Sequence, residues 1–172
     1  VSLYFKAAPI VFIAAILQGS WFAGLSLGKG SADLLLVTIV AVSLLRGSVF
    51  GTVAGFCAGL CYDVSIYGQM GLTSLLLTLA GYWTGRYGET TGRNRAHAPF
   101  LSVAVITILY ELGGLVVRFL IGEPAPAGRL IFHALPGELF LNLILTAPVY
   151  LLCRWLIGKQ GDERATEVRL LA

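Results

Sequence analysis

"RGSVFGTVAGFCAGLCYD", residues 46–63, sets glycine at 47, 51, 55 and 59 and then an aspartate at 63. Glycine costs a helix about 1 kcal/mol relative to alanine, and a carboxylate in lipid costs several. A segment that carries both must have a use for them. Residues four apart advance about 400° around a helix, so the glycines trace a groove that drifts about 40° per step, and Asp63 continues the track. Lipid tails are as apolar as leucine, so helices in a bilayer associate through close packing and polar contacts rather than exclusion of water. A groove of this kind lets a second backbone come close. The pattern fits a membrane helix.

Composition extends that reading to the whole chain. Its 172 residues are 57% hydrophobic and 12% charged, whereas a soluble domain carries about 25% charged residues. The chain cannot cover itself with a solvated surface. Its apolar runs are long and continuous, without the alternation of a membrane barrel, so the spans are helical. Six segments stand out, at about 4–27, 32–45, 48–67, 70–85, 99–121 and 135–157. A crossing takes about 20 residues. The second segment is short and the fourth borderline, so these two lean on protein neighbours or tilt less than the rest. Lys6 before an apolar run resembles a signal peptide, but the run is long and more spans follow, which favours an uncleaved first helix. The valine at position 1 implies a start that is missing or altered. The expectation is an all-α polytopic membrane protein, with one six-helix transmembrane domain over 1–157 and a short cytoplasmic tail over 158–172.

Lysine and arginine set the orientation. With the N-terminus inside, the inner side receives Lys6, Arg46, Arg86, Arg93, Arg95, Arg154, Lys159, Arg164 and Arg169, and the outer side Lys29 and Arg129. That bias puts both termini in the cytoplasm. The loop "RYGETTGRNRAHAP" (86–99) is then cytoplasmic, and Arg86, Arg93 and Arg95 meet anionic lipid headgroups. The cations sit in particular loops, so the net charge of +3 does not point to nucleic acid.

Several polar residues fall within the spans. Asp63 lies about 22 Å from the cytoplasmic start of its helix, in the outer part of the bilayer. Arg118, Glu138 and Asn142 reach a similar depth, and Glu111 lies nearer the middle, on one face with Arg118. Intramembrane charges usually pair, so Asp63, Glu111, Arg118, Glu138 and Asn142 read as an outer-leaflet polar cluster or pocket. The plainer alternative is structural: Arg118 and Glu138 snorkel to the headgroups, and Asp63 caps the next turn. The glycines leave a similar choice. Gly47, Gly51, Gly55, Gly59, Gly71, Gly81 and Gly85 form either an internal packing seam or a groove for a partner helix.

Other chemistry finds little footing. Cys57, Cys61 and Cys153 lie in spans, and His97 and His133 in separate loops, so four converging metal ligands are not expected. The cysteines read as small apolar filler. No GxSxG, HExxH or paired-carboxylate motif occurs. Glu111 has no base or metal beside it, and the acids form no relay across the membrane. Neither an enzyme nor a cofactor is expected.

The stretch "GFCAGLCYDVSIYGQMGLTSLLLTLAGYWTGR" (55–86) resembles the signature region of the MreD family. That pattern reads Gly-x-x-x-Gly-Leu-x-x-Asp, a short outer turn, then Gly-Leu opening the next helix. Gly55, Gly59, Leu60, Asp63, Gly71 and Leu72 match it, followed by Gly81-Tyr82. Arg118 and the Pro-rich outer loop 122–138 are not part of the pattern. The resemblance implies a non-enzymatic scaffold of the rod-shape machinery that pairs with MreC. It would link MreB filaments to the peptidoglycan-building pair RodA and penicillin-binding protein 2. It also implies a fold similar to the substrate-binding subunits of energy-coupling-factor transporters, six helices with a pocket opening outward. The alternative is such a transporter subunit itself. It would take a vitamin or metal ion and dock a coupling subunit through "KAAPIVFIAAILQG" (6–19).

Overall fold

The computed structural model describes residues 13–14, 17–18, 26–27, 30–66, 71–91, 97–122, 128, 132 and 134–157. Most of the first apolar segment, Arg93 and Arg95 of the basic loop, His133 and the tail 158–172 lie outside the described residues. Five helices are described: α1 (Leu34–Arg46), α2 (Ser48–Ile66), α3 (Leu72–Thr91), α4 (Ala98–Ile121) and α5 (Leu135–Ile157). Residues 13–14 and 17–18 are also helical. Ahead of α1, two-residue strands β1 (Ser26–Leu27) and β2 (Gly30–Ser31) pair antiparallel. Ser48–Ser65, Ala98–Ile121 and Leu135–Leu156 are long and apolar enough to cross a membrane.

The short helix α1 occupies the centre. Every residue from Leu34 to Leu44 is buried, and α1 packs against each of the other four helices. A helix that is apolar all round belongs inside. Its 13 residues span about 20 Å, short of the roughly 30 Å of hydrocarbon in a bilayer. Leu35, Leu36, Ile39 and Val40 of α1 join Leu77 and Ala80 of α3, Val103 and Ile106 of α4, and Cys153 of α5 in one core. Cys57 and Cys61, by contrast, are exposed on α2.

A single residue, Gly47, separates α1 from α2. Its φ of 96° is one that L side chains rarely adopt, and its N–H donates to the Ser43 carbonyl at 2.8 Å. The chain turns there and runs back as α2.

Glycines join α2 to α3. A Cβ on Gly51 would meet the Gly81 carbonyl, one on Gly55 the Leu77 carbonyl, and one on Gly59 the Ser74 backbone. From the other side, a Cβ on Gly81 would strike Gly51, and one on Gly85 the Ser48 backbone. The helices run antiparallel with their backbones in contact, as small residues at spacing four allow. On its other face α2 exposes Val49, Val53, Phe56, Leu60 and Val64, side chains suited to lipid. Gly71 differs from the seam glycines. No atom lies within 4 Å of a Cβ built there, and its φ is 98°; it serves the turn that opens α3.

The sequence predicts an apolar segment ending at Gly85, whereas α3 continues to Thr91. The extra turns are held by packing: Gly85 rests on Ser48 and Gly88 on Leu44.

Candidate functional site

The first N–H groups of a helix have no partner within it. For α1 those groups are buried, and the protein supplies their partners. Asp33 is the N-cap residue, and its Oδ1 accepts from Leu36 N–H at 2.9 Å. Gln18 Oε1 accepts from Leu34 N–H at 2.7 Å, and Gln18 Nε2 donates to the Ala32 carbonyl at 3.1 Å. The N–H of Asp33 donates to Asn142 Oδ1 on α5 at 2.9 Å, and Asn142 Nδ2 donates to Thr107 Oγ1 on α4 at 3.2 Å. Asn142 and Thr107 are both fully buried. Four parts of the chain thus meet at one helix start.

Carboxyl groups gather at the same place. Glu138 of α5 lies beside Glu111 of α4, with Asp33 close to both. The start of a helix carries partial positive charge, which favours acids there. Two tyrosines border the cluster: Tyr62 lies near Gln18 and Asp33, and Tyr110 near Thr73 and Asp33. The structure therefore brings Glu111, Glu138 and Asn142 together, and joins them to Asp33, Gln18 and Thr107.

Asp63 and Arg118 sit otherwise. Asp63 is buried at the end of α2, where its Oδ2 accepts from Gly71 N–H at 2.8 Å and from Ser74 N–H at 3.3 Å. It caps α3. Arg118 is exposed in the last turn of α4, where a cation complements the helix C-terminus. Arg86 forms an ion pair with Glu89, at 3.8 Å. Glu89 also reaches the start of α2, accepting from Ser48 N–H at 2.8 Å and from Ser48 Oγ at 3.1 Å. Each helix of the α2–α3 pair thus caps the other.

These contacts satisfy backbone groups that would otherwise be buried without partners. Among the described residues, no three His, Cys, Asp or Glu side chains converge as a metal shell.

A family model described as rod shape-determining protein MreD matches residues 2–158. The chain belongs to the MreD family. The cell shape-determining protein MreD of Streptococcus pneumoniae is 29% identical to it over 90 residues, 52% of this chain and 54% of that protein. The match thus spans about half the length of that relative. No solved structure matches the chain. The family is one of rod shape-determining proteins, and three helices of this chain are long and apolar enough to cross a membrane, which fits a membrane protein.

The stretch that resembles the MreD signature, 55–86, is the α2–α3 pair. Gly55 and Gly59 are at its seam, while Asp63 and Gly71 are the acceptor and donor of its cap. Sequence reading misses Asp33, Gln18, Thr107 and Glu89. Asp33 carried a usable signal, since an aspartate directly before "LLLVTIV" marks an N-cap. Gln18 and Thr107 carried none, because their partners are remote in the chain.

Proposed function

We propose that the chain is a non-enzymatic scaffold of the rod-shape machinery, which pairs with MreC and helps couple MreB filaments to peptidoglycan synthesis by RodA and penicillin-binding protein 2. The MreD match over residues 2–158 carries this reading. The geometry supports it: a central helix whose start is capped from two other parts of the chain, Gln18 and Asn142, and a pair of helices in backbone contact, make a body suited to holding partners in register. In this proposal the bundle has six membrane-spanning helices and both termini are cytoplasmic, as the distribution of lysine and arginine favours. Asp33, Glu111, Glu138 and Asn142 then lie toward the outer side, where MreC would extend.

The test is purification of the tagged full-length chain from detergent-solubilised membranes of the bacterium that carries it. Recovery of a single-span coiled-coil protein supports the scaffold. Recovery of paired ATPases with a coupling subunit contradicts it and identifies a transporter component.

A further inference from the structure

The surface that meets lipid is not of one height. On α4 every exposed residue between His97 and Arg118 is apolar. Those two positions are 21 residues apart, about 32 Å, which matches the roughly 30 Å of the hydrocarbon core. On α3 the uncharged run Leu72–Gly85 covers 14 residues, about 21 Å, before the exposed Arg86. Yet α3 also faces outward, through Leu75, Leu79, Tyr82 and Trp83.

Contacts between the helices place this difference at one end. Leu76 of α3 meets Gly113 of α4, and Tyr87 lies across a cavity from Leu101, so the two helices run antiparallel. Counted from the first contact, Leu72 falls level with Val117, next to Arg118, and the edges on that side coincide. Arg86 falls level with Val103, six residues or about 9 Å short of His97. On α5 the hydrogen bond from Asn142 to Thr107 gives the register. Arg154, exposed and twelve residues beyond Asn142, then reaches about 3 Å past His97. The polar edge on the Arg86 side therefore steps by about 9–12 Å between α3 and the α4–α5 side.

Arg86 by itself does not fix the edge, because its long side chain is able to snorkel. Two further features lie near its height. Ser48, where α2 begins, packs on Gly85 and takes its cap from Glu89, so the α1–α2 turn stops at this level too. Tyr82 and Trp83, in edge contact, stand exposed in the turn before Arg86. Tyrosine and tryptophan favour the headgroup boundary. Trp155 marks the other level, exposed beside Arg154. A surface shorter than the bilayer is met by thinning of the lipid around it. We propose that the α3 face selects phospholipids with short acyl chains, while the α4–α5 face takes longer ones. This selection rests on the spanning arrangement proposed above, whose orientation puts the step in the cytoplasmic leaflet.

Tryptophan quenching in vesicles tests it. Two full-length variants are made, one with Trp21→Phe and Trp155→Phe, the other with Trp21→Phe and Trp83→Phe, so that each keeps one tryptophan. Both are reconstituted in brominated dioleoyl phosphatidylcholine mixed with unbrominated dimyristoleoyl or dioleoyl phosphatidylcholine. At Trp83 the shorter lipid should relieve quenching about threefold more effectively, the order given by a modest cost per Å of mismatch. At Trp155 the dioleoyl lipid should compete better. The same ranking at both tryptophans overturns the proposal, as does a preference for the longer lipid at Trp83. Absence of quenching at both would overturn the spanning arrangement, and the lipid selection with it. None of these outcomes depends on MreC or on cell shape, so the scaffold role stands or falls separately.

Discussion

The carboxylate of Asp63, at the end of α2, accepts a 2.8 Å hydrogen bond from the backbone N–H of Gly71, eight residues later at the start of α3. The same oxygen accepts from Ser74 N–H at 3.3 Å. At the far end of the pair, Glu89 of α3 accepts from the N–H of Ser48. Between these caps the glycines bring the two backbones into contact. In lipid no water can serve an open N–H group, so an acid from the neighbouring helix takes that place at both ends.

Replacing Asp63 by alanine should reduce stability by about 1–2 kcal/mol, the usual value of a lost N-cap. Asp63→Asn keeps an acceptor oxygen and should lose less. Unfolding by sodium dodecyl sulfate in mixed micelles measures both. Equal stability of Asp63→Ala and wild type would show that the cap contributes nothing.

Asn142→Leu leaves the N–H of Asp33 and the hydroxyl of Thr107 without their partner. A loss of about 1–3 kcal/mol is expected, and Thr107→Val should lose less, because the Asp33 bond survives. The double variant should fall short of the sum, since both residues belong to one network. Full additivity would mean that they act independently.

Gly81 and Gly71 should respond to substitution in opposite ways. At Gly81 the obstacle is space, so alanine should cost about 1–3 kcal/mol through overpacking, and asparagine more. At Gly71 the obstacle is the backbone angle, so asparagine, which tolerates positive φ, should be milder than alanine. The order of the four variants in the same unfolding assay distinguishes the two causes.

Thiol access should follow burial. A small apolar maleimide added to the folded protein in micelles should modify Cys57 and Cys61 and leave Cys153, which is 0% exposed, until denaturant is added. Peptide mass mapping reads the sites. Early labelling of Cys153 would contradict the core described around α1.

Much of this architecture is legible in the sequence, and the exceptions have physical reasons. The α2–α3 seam can be read because close backbone approach needs small residues at a fixed spacing, and nothing else explains Gly51, Gly55 and Gly59 in one span. The last turns of α3 cannot, since Arg86 and Glu89 end the apolar run while Gly85 and Gly88 still pack. The polar site is legible in part. Glu111, Glu138 and Asn142 stand out as polar residues in apolar segments. Asp33 sits at the edge of one and reads as a loop residue, although it caps the buried helix. Arg118 invites pairing with the acids by depth alone, and depth does not fix the direction a side chain takes.

The most direct measurement replaces the chromosomal copy with Gly55→Leu in the bacterium that carries this chain, with cell shape scored by microscopy and protein level by immunoblot. A leucine there meets the backbone of Leu77 and should force α2 from α3, so rounded cells are expected, whether or not the variant accumulates. Normal rods at wild-type protein level would contradict the claim that this backbone contact underlies the protein's part in cell shape.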